Sequence, residues 1–386
     1  MNSKIKQALF VIFLALIPTL LIWLPFFFNL ETIWGIPLPQ EGMSTVVANY
    51  DGPLHIVIAK TFYNTDIIRT NYSFPLPLEY YAAHFPLFPL LIRVLGPILT
   101  FPYSMLFMTI TATALALHFF QKLILDFVDK KHVAWITAVF AVFPARWLIV
   151  RSVGSSEPLF IASIIASIYY FREKKYAHAG VWGALAQLTK SPGILLFVAY
   201  TLVIFVNAFK KSAHSSFSKF LGYIDIKKRY PLLLIPGALV AIFYLYQIKF
   251  DDFFAYFNSG DNIHLFFPPF QVFNYAQPWV NTFWLEEILF IYLFGTLGLL
   301  KLIEMKEYEI AWFTGIFFAS ILFVSHRDVL RYALPVIPFL FVAFSKTLVK
   351  KEFKIAMAVL VIPIYLYSVV YISQNVMPVS DWAPLL

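Results

Sequence analysis

Between Asn49 and Arg93 the chain reads NYDGPLHIVIAKTFYNTDIIRTNYSFPLPLEYYAAHFPLFPLLIR. This stretch gathers Asp51, His55, Lys60, Asp66, Arg69, Glu79, His84 and Arg93 in a protein of which only 13% is charged. Charge beside a bilayer is costly and is kept for a task. If NYDGPLH opens a helix at Asp51, His55 lies one turn on and on the same face. A carboxylate and an imidazole would then point into one space, which is the equipment of acid–base chemistry. Two other readings stay open. Asp51 is also a favoured helix N-cap ahead of Gly52-Pro53, and His55 and His84 also suit buried, hydrogen-bonded positions. A three-ligand metal site of Asp51, His55 and His84 has suitable ligand types for several divalent ions, but its spacing matches no metal motif.

Three further places carry chemistry-bearing residues. Glu157, in VGSSEPLF, is either a carboxylate at a helix start with Pro158 in the first turn or a second acid that grips acceptor hydroxyls. Lys190 sits in AQLTKSPG, and Arg327 and Arg331 sit in SHRDVLRYALP. Loop charge, snorkelling or an Arg327–Asp328 ion pair would account for them. A guanidinium also binds phosphate bidentately, and the four-residue spacing turns both arginines one way if that segment is helical. On that reading the three cations form a phosphate clamp.

The elements that must position these residues belong to a membrane. The chain of 386 residues is 60% hydrophobic and 19% aromatic, its mean hydropathy is +0.75, and a soluble domain has about 45–50% apolar residues. Apolar runs of about 20 residues mark spans. They fall near 8–28, 103–125, 133–150, 158–171, 177–189, 192–209, 230–248, 284–303, 310–324, 332–348 and 355–372, the fourth and fifth being short. The expected fold is an all-α polytopic membrane protein of about eleven transmembrane helices, one module over 1–386. The first run, 8–30, exceeds a signal-peptide core and lacks a small-residue cleavage site, so it is expected to be an uncleaved span. Segment 85–101, with three prolines and Arg93, is expected to be re-entrant or interfacial.

With the N-terminus inside, 20 of the 29 basic residues fall on the inner side and 9 outside, while the 21 acids split 8 to 13. That bias predicts an N-in, C-out arrangement. The outer loops 30–102 and 249–283 would roof the site, with juxtamembrane helices in the first. The inner segment 210–229 reads as a basic amphipathic stretch on an anionic leaflet. The net charge of +8 is therefore an orientation signal and no sign of a nucleic-acid partner. With no cysteine, the chain has no disulfide, no thiolate nucleophile and no thiolate metal ligand.

The blocks YDGPLHIVIA, HFPLFPLLIR, SSEPLF, LTKSPGILL and RYALPVIPF, in this order between residues 50 and 340, resemble the PIG-V-like mannosyltransferases. Those belong to the GT-C class of multi-span glycosyltransferases. The resemblance implies an integral enzyme of the inner or plasma membrane with its site on the extracytoplasmic face. It implies a hexose, commonly mannose, taken from a polyprenyl- or dolichyl-phosphate donor and passed to a glycolipid, glycan or protein acceptor. It makes Asp51 the essential first-loop acid and Glu157 the second acidic position, and it puts Arg331 in the block that ends the cavity. Two departures bear on the sugar and the acceptor: Tyr50 stands where the family often has Trp, and Lys190 where it commonly has Arg.

The expected mechanism is direct displacement with inversion. Asp51 takes the acceptor proton, while Arg331, with Arg327 or Lys190, steadies the departing phosphate. A retaining route would need a second carboxylate placed as nucleophile. No cofactor is required; a divalent cation is compatible with this scheme but not indicated by it. The alternative is a transporter or flippase of lipid-linked sugars, for which paired repeats and helices broken near mid-membrane would be the sign, whereas here the charges cluster at the expected outer ends of spans.

Overall fold

The computed structural model describes residues 3–74, 76–212, 217–260, 264–274, 276 and 285–386. The chain is mostly helical, and its only described sheet is a two-stranded hairpin, Thr32–Ile33 with Ile36–Pro37. The principal helices are α1 (Ser3–Phe27), α2 (Gly52–Thr61), α3 (Leu87–Leu99), α4 (Phe101–Ile124), α5 (Lys130–Val142), α6 (Ala145–Val150), α7 (Glu157–Arg172) and α8 (Tyr176–Thr189). They continue as α9 (Ile194–Ser212), α10 (Leu234–Phe250), α11 (Glu286–Glu304), α12 (Tyr308–Ile321), α13 (Val329–Ala333), α14 (Ile337–Ala343) and α15 (Lys351–Gln374).

Among the described residues, five helical stretches are long and apolar enough to cross a membrane: 5–27, 101–124, 191–212, 219–250 and 351–374. This is an integral membrane protein. The eleven spans expected from hydropathy, two of them short, resolve among the described residues into these five and a set of shorter helices. One expected span is interrupted in its interior. The run 133–150 breaks between α5 and α6 at Phe143-Pro144, because proline supplies no N–H and biases the residue before it away from helix. The run 332–348 is helical from Val329 to Ala343, tightening to a 3-10 turn at Leu334–Val336 between α13 and α14, and turns at Phe344 before Ser345–Leu348. The start of the 284–303 run lies outside the described residues, and α11 begins at Glu286.

At 13 residues α3 is about 20 Å long, too short for a hydrocarbon core of about 30 Å. It buries Phe88, Ile92 and Gly96 and exposes Leu90, Val94 and Ile98 at four-residue intervals. That is one apolar face turned outward along a short helix.

The contacts divide the chain into two compact units: Met1–Ala162 with Ala241–Ile263 and Lys346–Leu386, and Ser163–Val240 with His264–Ser345. In the first, α1 packs on α4 and α5, α2 on α3 and α4, and α15 on α6. Its core includes the fully buried rings of Phe120, Phe140 and Trp147, the last two stacked at 5.4 Å. Arg151 is also fully buried and donates to the carbonyls of Ala141, Leu14 and Ala15 at 2.5, 2.8 and 2.5 Å. A guanidinium is tolerated there because carbonyl oxygens replace its water.

At one end of this unit Gln7 donates to Gln121 at 2.7 Å and Trp135 to the Leu348 carbonyl at 2.9 Å. At the other, Asn49 donates to the Ile372 carbonyl at 2.7 Å.

In the second unit α9 packs on α12, and α11 on α12 and α14. Arg172 and Glu307 form an ion pair, and the Lys210 ammonium lies 5.3 Å from the Tyr308 ring. Residues 264–270 run beside the turn after α12: Ser325 donates to the His264 carbonyl at 2.8 Å, and Phe266 to that of Phe323 at 2.9 Å. Leu265, Phe266, Phe267, Ser320 and Phe323 line an apolar cleft of about 440 Å³ here. The expected roof loop 249–283 thus falls partly in each unit, with 261–263, 275 and 277–283 outside the described residues.

Candidate active site

The segment before α2 is held from the far end of the chain. The Asn49 side chain spans the Ile372 carbonyl and the Asn375 amide, at 2.7 and 3.1 Å, and Met377 donates to the Ala48 carbonyl at 2.8 Å. Tyr50 then adopts a left-handed conformation with φ 49°, a strained state for a bulky residue that its surroundings must enforce. Its hydroxyl accepts from Arg146 at 3.4 Å, and its ring lies 5.9 Å from that of Tyr371. This turn delivers Asp51 to the head of α2. Gly52 follows because a Cβ there would lie 2.2 Å from the Val47 carbonyl oxygen. Pro53 fits the first turn, where a missing N–H costs nothing.

Asp51 makes no capping hydrogen bond with its side chain. Its carboxylate is 27% exposed, and one oxygen lies 3.6 Å from Nε2 of His84, which is 7% exposed. His55, buried one turn along α2, meets His84 edge-on at 5.1 Å and Phe88 at 5.0 Å. Tyr80 covers another side of His84 at 5.6 Å, and the Tyr63 hydroxyl donates to the His84 carbonyl at 2.5 Å. The sequence places these imidazoles 29 residues apart, and the fold joins them by packing α2 on α3. Burial, with Tyr72 nearby, pushes the Tyr81 hydroxyl up to about 12, so Tyr81 stays protonated at neutral pH and is no base.

At the far end of α2, Arg93 donates to the carbonyls of Ala59 and Lys60 at 2.9 and 3.0 Å. It is a C-terminal cap reaching over from α3. Lys60 lies 4.9 Å from the Phe101 ring, and burial draws its ammonium below the usual lysine range. Asp66 and Arg69 form an exposed pair at 3.7 Å, of small energetic consequence.

Glu157 opens α7 and is 7% exposed. Its carboxylate accepts from the Ser155 hydroxyl, and Thr109 on α4 bonds the Ser155 backbone at 3.3 and 3.4 Å. A Cβ on Gly154 would lie 2.1 Å from Cε of Met105, and one on Gly52 would lie 3.3 Å from the same atom. The segments carrying the two acids therefore both close on one methionine.

The three expected phosphate-binding cations belong to the second unit. Lys190 ends α8 in an extended conformation and is half-buried. Arg327 is exposed and precedes α13, whereas half-buried Arg331 lies within it. The shared helical face expected of the two arginines is not formed. The reason is local: the Asp328 backbone N–H donates to the His326 ring at 2.9 Å, which turns the chain before the helix starts at Val329. His326 packs on His264 and Tyr332 at 4.8 and 5.5 Å.

Sequence reasoning passed over Arg146, which it left inside the 133–150 run. The residue is buried on α6, donates to the Tyr50 and Tyr367 hydroxyls at 3.4 and 3.2 Å, and lies 3.8 Å from the Tyr371 ring centre. The available signal was a cation in the middle of an apolar run, which marks a functional position by default. Among the described residues, no group of three or more His, Cys, Asp or Glu side chains gathers in metal-binding geometry.

The fold has known counterparts. Over 99% of its length the chain superposes on the oligosaccharyltransferase of Archaeoglobus fulgidus in its apo form, with a TM-score of 0.55 and 14% identity. A second structure of that protein, tethered to an acceptor peptide containing the NVT sequon, gives a TM-score of 0.53 over 97% of this chain, also at 14% identity. These neighbours have a GT-C glycosyltransferase fold. The chain spans 58% and 56% of the length of the two, and at this identity the likeness is one of fold. No protein-family model and no curated protein matches the chain.

Proposed function

We propose that this chain is an inverting glycosyltransferase. It moves a hexose, mannose in the first place, from a polyprenyl- or dolichyl-phosphate donor to a lipid, glycan or protein acceptor on the extracytoplasmic face. The observation that carries this reading is the Asp51 carboxylate. It stands at the head of a non-spanning helix, part-exposed, making no capping bond and backed by a buried imidazole, in a chain whose fold is similar to that of a membrane glycosyltransferase.

The chemistry follows from the donor. The acceptor oxygen attacks the anomeric carbon as the bond from that carbon to the phosphate oxygen breaks. The hydroxyl proton passes to Asp51, and the phosphate leaves with the bonding pair. A polyprenyl phosphate is already a stable anion, so the protein needs a base and positive charge more than it needs a strong acid. Arg331, Arg327 and Lys190 keep the phosphate role as candidates. Glu157 is the candidate second acid.

Purified protein given labelled polyprenyl-phosphate mannose is the test. Release of the sugar to an acceptor or to water supports transfer, whereas movement of the intact lipid between leaflets without release supports the flippase alternative and removes the enzyme reading.

A further inference from the structure

We infer that Arg146 is a positioning residue for the Asp51 carboxylate and acts through Tyr50. This role rests on the reading of Asp51 as the base. Tyr50, the residue before it, has φ 49°, a left-handed conformation that a bulky L-residue holds only where its surroundings enforce it. Two sets of contacts meet at Tyr50, one on each side of its N–Cα bond.

On the main-chain side, the end of α15 and the tail after it run beside residues 48–50. The fully buried Asn49 side chain donates to the Ile372 carbonyl at 2.7 Å and accepts from the Asn375 amide at 3.1 Å. The Tyr50 N–H donates to the Asn375 carbonyl at 3.4 Å, and the Met377 N–H to the Ala48 carbonyl at 2.8 Å. These bonds fix the peptide plane that enters Tyr50. Rotation about the N–Cα bond then swings two things together, the tyrosine side chain and the carbonyl that leads to Asp51. A contact that holds the ring therefore also holds the path to the carboxylate.

On the side-chain side, that contact is Arg146. Its guanidinium is 5% exposed. One amino group donates to the Tyr50 hydroxyl at 3.4 Å and the other to the Tyr367 hydroxyl at 3.2 Å, while the centre of the group lies 3.8 Å from the Tyr371 ring centre. Tyr367 and Tyr371 are one turn apart on α15 and share a face. A planar fork that reaches two hydroxyls and lies on an aromatic ring is a geometry a lysine ammonium does not reproduce. Arg146 thus ties the Tyr50 ring to the helix whose end holds Asn49, and all of these residues belong to the first unit with Asp51. Released, the Tyr50 backbone relaxes toward negative φ and Asp51 moves with it; a displacement of about 1 Å at a reacting group can cost on the order of 10²-fold in rate.

The signature is a change in kcat without a change in KM, because the base acts in the chemical step. In Arg146→Gln the kcat of the folded protein for polyprenyl-phosphate mannose should fall about tenfold at an unchanged KM. Asparagine enters the left-handed region readily, so a chain carrying Tyr50→Asn no longer needs the hold. Adding Arg146→Gln to Tyr50→Asn should change kcat by less than about twofold. A tenfold loss in both backgrounds, or a wild-type kcat in Arg146→Gln, would overturn the proposal; a merely structural cation lowers yield and melting temperature in both backgrounds and shows no such rescue. If Arg146→Gln fails to accumulate, Tyr50→Phe removes the hydroxyl contact alone and should lower kcat about threefold at an unchanged KM, and a wild-type kcat there would equally overturn it.

A second measurement needs no turnover. Amide hydrogen exchange in detergent should be faster in Arg146→Gln by about tenfold in a peptide covering residues 48–56, with wild-type rates kept in α12. Unchanged exchange at 48–56, or acceleration throughout the chain, overturns the proposal. Absence of transfer with every donor, together with the local acceleration, would remove the enzyme reading and leave Arg146 as the anchor of this turn.

Discussion

Among single residues, the sequence showed which acid to watch but not what surrounds it. Asp51 was legible because a charge near a bilayer is rare, and its competing role as an N-cap was equally legible. Only the fold distinguishes them, by presenting a side chain that makes no capping bond. The pairing with His84 depends on a contact across 33 residues, which no local periodicity encodes. Arg146 was hidden for a different reason: its partners Tyr367 and Tyr371 come from the last long helix. Arg146→Met should remove the contacts to three tyrosines and lower stability by about 2 kcal/mol. A thermal melt in detergent measures this, and a melt equal to wild type would show that the cage holds without its cation.

Among the helices and turns, α2 is built to present its first residue. Gly52 permits the close pass beneath Val47, and Arg93 closes the other end. Gly52→Ala should cost about 3 kcal/mol or more by overpacking against a backbone oxygen, read as loss of monodisperse protein on size exclusion. Arg93→Ala should cost only about 1 kcal/mol, because the guanidinium is partly solvated; a larger loss would mean that α3 depends on it for more than the cap. Hydropathy located nearly every helix, since apolar length survives as a signal without tertiary context. It overestimated continuity at 133–150, where Pro144 interrupts an otherwise apolar run. The spacing of Arg327 and Arg331 suggested a common face, but a four-residue interval says nothing about where a helix begins.

For the molecule as a whole, the charge count predicts that both the first loop and the C-terminus lie outside. The bonds between Asn49 and residues 372–375 tie those two regions together. A chain without cysteine is well suited to a direct check. Single cysteines at Thr70 and Ser380, both exposed, should react with an impermeant thiol reagent on intact cells, and one at exposed Lys130 only after permeabilisation. Equal reactivity at all three would contradict the orientation. If one carboxylate on that outer side takes the acceptor proton, its replacement by an amide of the same shape must stop the chemistry and spare the fold. In Asp51→Asn the kcat for polyprenyl-phosphate mannose should fall at least about 100-fold with an unchanged thermal melt; a variant that transfers sugar at a rate near wild type would contradict the assignment of the base.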